Sequence, residues 1–154
     1  MDDHELIQQI KAKTFPRIRE LMVSRYKESV LDAQHFFSHC LHVELDFSSE
    51  ELAEEPSPEA LEWLCSAPLT DLAVTLLWAV AAVVTNGIFV SSDENIAAVV
   101  ASIDLEEAVR VTGMKRDDVS FVLKQMAESL VEVIREHTVI DVEIDRQPVQ
   151  LKSL

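Results

Sequence analysis

The chain has 154 residues, 48% of them apolar, with two glycines, five prolines and a formal charge of −15 from 28 acidic and 13 basic side chains. Such apolar content supports a sizeable core in one domain or two small subdomains and argues against disorder. So few turn residues exclude an all-β fold, and the acidity opposes phosphate backbones while favouring solubility, a basic protein partner or a high-salt interior.

Cys40 and Cys65 are too few for a disulfide framework, and "MDDHELIQQI" is polar and unlike a signal peptide, so reduced thiols in a cytoplasm are expected. A long amphipathic helix is predicted over residues 16 to about 43. Phe15, Ile18, Met22, Val30, Ala33, Phe37 and Leu41 recur at helical spacing, and Pro16 suits a first turn. The stretch "KAKTFPRIRELMVSRYK" holds all six bases of the first seventy residues and one acid, Glu20. It could dock nucleic acid or an acidic partner, but bases spread round a helix fit better with offsetting the acids that follow between Glu44 and Glu62. "DAQHFFSHCLH" has the one metal-like spacing. Asp32, His35, His39 and His42 share a stripe about 80° wide, and His35 and His39 could chelate an ion through neutral imidazoles. That stripe lies opposite the apolar face, where a histidine row is ordinarily solvated. A pH-sensitive contact is its third use.

Two short helices follow, joined at Pro56-Ser57-Pro58. Ser48 with Glu51 resembles a capping box, and Ser57-Pro58 resembles a second start. Pro68 and Thr70 then introduce a buried helix over residues 71–86. The uncharged run from Leu72 to Val90 invites a membrane reading. Asn86-Gly87 stops it short of the roughly 20 residues a bilayer needs, and Asp71 and Asp93 flank it, so a core helix is expected. Trp63 and Trp78 are read as core or subdomain-interface residues. "IFVSS" is a connector with a short extended piece, and Ser91 with Glu94 offers another capping box.

Helices are predicted over residues 93–102, 105–112 and about 115–136. The segment 130–134 could instead be a strand, but Val119, Val122, Leu123, Met126, Leu130, Val133 and Ile134 keep an unbroken helical period. In the tail, Ile140, Val142 and Ile144, then Val149 and Leu151, alternate with polar residues about "DRQP", which predicts a β-hairpin.

Within this region "LEEAVRVTGMKRDDVSFVLKQM" resembles a helix-turn-helix. Ala108 supplies the small residue at the crossing, Gly113 the positive φ at the turn, and Met114, Val119 and Val122 the apolar anchors. Ala108-Val109 stands in swapped order relative to that pattern. Close helices followed by a hairpin resemble a winged helix over residues 93–151, and the resemblance implies DNA readout through Lys115, Arg116, Ser120 and Lys124. The chemistry of the second helix points elsewhere. Its outer face carries Asp117, Ser120, Phe121, Lys124, Gln125 and Glu128, whereas base edges and phosphates call for donors. Over residues 104–137 five bases face eight acids. An outward aromatic amid mixed charge suits a protein interface, with Phe121, Asp117, Lys124 and Glu128 as partner-binding candidates. The plainer use of Phe121 is packing against the N-terminal helices.

Catalysis finds little support. Two glycines, at 87 and 113, make no phosphate loop. No serine elbow is visible, and both cysteines sit in apolar-flanked helices. The expected fold is mainly α. A helical N-terminal region (1–70) lies on a central buried helix, and a winged-helix-like region with a small hairpin (71–154) completes one compact unit. The expected function is a non-enzymatic, cytoplasmic protein-interaction module with a basic partner and no cofactor: a regulatory adaptor, an antitoxin or immunity-type inhibitor, or a complex subunit. A helix-turn-helix regulator is the alternative, and a metal protein using His35, His39 and His42 comes third. The sequence leaves a homodimer open.

Overall fold

The computed structural model describes residues 1–41 and 57–154, with side chains described for 1–29 and 57–154. The described chain is mainly helical with a small C-terminal sheet. In chain order the elements are α1 (Asp3–Leu41), α2 (Pro58–Val83), β1 (Ile88–Val90), α3 (Asp93–Ser102), α4 (Leu105–Thr112), α5 (Arg116–His137), β2 (Val139–Ile144) and β3 (Gln147–Lys152). They form two compact units, one of Met1–Arg17 with Ser66–Leu154 and a smaller one of Ile18–Cys65.

α1 starts earlier than its proline implies. The Asp2 carboxylate accepts from the Glu5 amide at 2.7 Å, an N-cap that satisfies one of the orphan donors of a helix start. Pro16 therefore lies inside the helix and is not its first turn. Proline removes one donor and crowds the preceding turn, yet the stripe of Leu6, Ile10 and Thr14 in the larger unit is fully buried. Tertiary burial of that face outweighs the local penalty.

α2 is likewise one helix through Pro68, where a break was expected. Its start is as predicted, with the Ala60 amide donating to Ser57 Oγ at 3.2 Å. Among the described residues it is the one helix long and apolar enough to cross a membrane by length and composition, because it begins well before the uncharged run at Leu72. Its most apolar window is 44% buried; in the larger unit Leu69, Leu72, Leu76 and Val80 face inward. Neither tryptophan joins the core: Trp63 is 76% exposed and Trp78 58%. In the smaller unit Ile18, Val23, Leu61 and Cys65 are buried, and Arg25 pairs with Glu28 at 2.8 Å. The first of the two expected short helices, with Ser48 and Glu51, lies outside the described residues.

The sheet order is β1-β3-β2. β2 and β3 form the expected hairpin, and both turn residues, Asp145 and Arg146, have positive φ (49° and 64°), as a two-residue hairpin turn requires. The "IFV" connector is a strand, parallel to β3 with Phe89 opposite Leu151. The Gln150 amide donates to the Gly87 carbonyl at 2.8 Å, so that edge of β3 faces β1. Pro148, two residues earlier, falls on the same edge beyond the end of β1, where a missing donor breaks no ladder. Ile140, Val142, Ile144, Val149 and Leu151 form the buried face, while Asp141, Glu143 and Pro148 are exposed. Ser92, one residue later than expected, caps α3 by accepting from the Asn95 amide.

Candidate functional site

α4 and α5 are joined as a tight helical corner. Asp104 caps α4 by accepting from the Glu106 and Glu107 amides, and Gly113 ends it in the left-handed region at φ 71°. Its amide donates to the Val109 carbonyl at 2.8 Å, the helix-ending bond that this conformation allows. A Cβ on Gly113 would meet nothing within 4 Å, so its dihedral angles, not crowding, call for glycine. Ala108 is buried at the corner.

α5 divides sharply. Val119, Val122, Leu123, Met126, Leu130, Val133 and Ile134 are buried, and residues 130–134 continue the helix. Asp117, Phe121, Lys124 and Glu128 are exposed and Ser120 is half-buried. Phe121 is 41% exposed, so a large part of its ring meets solvent. Asp118 is buried in the first turn, where the helix dipole favours a carboxylate.

The charges differ in what they are free to do. Glu128 is engaged by Arg17 at 2.7 Å, and Arg17 also pairs with Glu132. Lys13 pairs with Glu136 at 2.6 Å. Two bases of the N-terminal basic stretch thus neutralise acids on α5. Lys11 donates to the Ser66 and Thr70 hydroxyls at 3.0 and 2.9 Å. The basic stretch was expected to offset acids between 44 and 62; those between 44 and 55 lie outside the described residues. Among the DNA-reading candidates, Arg116 is held by Glu106 at 2.8 Å. Lys124 is exposed and makes no ion pair with a described residue. Arg110 clasps Glu107 within α4, and that guanidinium holds the Glu107 carboxyl below its usual range.

His35 and His39 lie on α1 where side chains are not described, and His42 lies outside the described residues. Among the described residues no group of three or more histidine, cysteine or acidic side chains could hold a metal ion. Burial pushes the Cys65 thiol pKa up, the opposite of what a nucleophile needs.

Sequence reasoning missed Trp78. The ring stands at an open trough over the outer face of the hairpin rather than in the core. A signal was present: Asp71, Thr75 and Trp78 recur at helical spacing, and an acid in mid-helix marks the wet side. No protein-family model matches the chain, and no curated protein or solved structure matches it significantly.

Proposed function

We propose that the chain is an acidic, non-enzymatic protein-interaction module: a regulatory adaptor, an inhibitor of the antitoxin or immunity type, or a subunit of a larger complex. The exposure of Phe121 carries the reading. An aromatic ring bordered by Asp117 and Lys124 offers apolar area at low entropic cost, with charges of both signs to orient a partner. The chain's charge of −15 steers a basic protein toward it. We read α2 as a core helix of a soluble, cytoplasmic protein, since Asp71 sits within it and Leu72, Leu76 and Val80 are fully buried.

A photo-crosslinking aromatic placed at position 121 tests this. The expected product is a covalent adduct with a basic protein, and Phe121→Ala weakens that complex about tenfold or more. A partner bound equally well after Phe121→Ala would remove α5 from the interface.

A second reading, a winged-helix-like DNA-binding regulator, is favoured by one observation: Gly113 in the left-handed region beside buried Ala108 forms the corner that a helix-turn-helix uses. The hairpin after α5 would be its wing. Lys115, Arg116, Ser120 and Lys124 would then meet DNA, and Arg116 would first have to leave Glu106. A duplex gel shift that weakens steeply with salt, and is lost in Lys115→Glu and Lys124→Glu, would establish this reading over the first.

A further inference from the structure

We infer that the outer face of the β2–β3 hairpin, with Trp78 at its side, is a groove that holds an arginine-bearing segment of a partner protein. The inference rests on the proposed interaction module and adds where the partner's basic side chains are received. The groove is a cavity of about 880 Å³ lined by residues of the β2–β3 hairpin, by Trp78 and by the start of α1.

Its chemistry is one-sided. Asp2, Asp3, Asp141, Glu143 and Asp145 line it, against the Met1 amino group and Arg146 as cations. None of these five carboxylates is ion-paired with another described residue. Elsewhere in the same unit Glu128, Glu132 and Glu136 are neutralised by Arg17 and Lys13. This sheet face therefore keeps carboxylates without ion-pair partners, whereas the acids of α5 that face α1 are neutralised. Two of the carboxylates have fixed positions: Asp2 caps α1, and Asp141 accepts from the Gln150 side-chain Nε2 at 3.1 Å. The five are not gathered as metal ligands among the described residues, so a spread-out organic cation matches them better than an ion.

Trp78 selects among cations. The ring is 58% exposed and also borders a second recess beside Asp145 and Gln147. A planar guanidinium stacks on an indole and forks to carboxylates at the same time, which a compact ammonium does less well. An exposed aromatic beside an acidic sheet face is thus matched by arginine.

The test uses the full chain in a Trp63→Phe background, so that fluorescence reports Trp78 alone. The probes are a blocked octapeptide of alternating glycine and arginine and its lysine counterpart, titrated at physiological salt. Saturable quenching is expected, with the arginine peptide bound several-fold more tightly. Isothermal titration should show Trp78→Ala, and separately the pair Asp141→Asn with Glu143→Gln, weakening binding about tenfold, while Val111→Ala, at an exposed apolar position on α4, leaves it unchanged. These positions are exposed, and thermal melting checks that each variant folds. Binding that survives both groove variants would overturn the inference, as would equal affinity for the two peptides or no saturable binding. Loss on Phe121→Ala alone would move the cation site to α5. Crosslinking at position 121 is read independently, so the groove can fail while the interaction module stands, and the reverse.

Discussion

α2 and α5 both run through the larger unit, and they declare their inner faces very differently. On α5 the buried positions are apolar or small except Asp118 in the first turn, and the exposed ones are charged except Phe121 and His137. α2 is apolar nearly all round, with Leu72, Leu76 and Val80 inside while Trp78 and Ala82 stand outside. An apolar side chain on the surface costs little, because folded surfaces are largely apolar anyway. A buried charge costs a great deal. The charges of a helix therefore reveal its orientation, and its apolar content does not.

Truncations measure the difference most directly. Leu76→Ala on α2 and Leu130→Ala on α5, both at fully buried sites, should each cost about 2–5 kcal/mol in urea unfolding. Trp78→Ala removes more atoms from the outside and should cost less than about 1 kcal/mol. Equal losses at Leu76 and Trp78 would break the comparison. Gly113→Ala should cost about 1–2 kcal/mol, all of it conformational since the site is open. Gly113→Asn should recover part of that, which a packing defect would not allow. Arg17→Met should cost no more than about 1 kcal/mol, shrinking as salt is added, because its pairs with Glu128 and Glu132 are partly exposed. The smallest effect concerns pH. Burial raises the Cys65 thiol above its ordinary value of 9.0, so the folded chain favours the neutral form. The associated stability is complete below that value and is lost as pH rises through the higher folded one. Cys65→Ala should flatten that alkaline decline in the urea midpoint, and a parallel decline in both proteins would refute it.

The C-terminal half was legible because its signals are local. Gly113, Asp104 and the period from Val119 to Ile134 define the α4–α5 corner, and strict alternation around Asp145-Arg146 defines the hairpin. Pro16 and Pro68 misled because proline's penalty is local, whereas the burial of Leu6, Ile10 and Thr14, or of Leu69 and Leu72, that outweighs it is not. β1 shows in the sequence only as a short extended piece of a connector, because its three residues acquire their partner at Gln150 and beyond, far along the chain. Of the candidate site, the exposure of Phe121 followed from the helical period. The pairing of Glu128 with Arg17 joins residues that no local pattern links.

The parallel pairing of Ile88 with Gln150 has a temporal side. β3 is the middle strand, hydrogen-bonded to both neighbours, yet it is the last of the three to leave the ribosome. Until it emerges, Ile88–Val90 and Val139–Ile144 are unsatisfied edges, and their joining through β3 requires a loop closure of high sequence separation that the local contacts of the helices between them do not. The sheet therefore acts as a late clasp on helices formed earlier in synthesis.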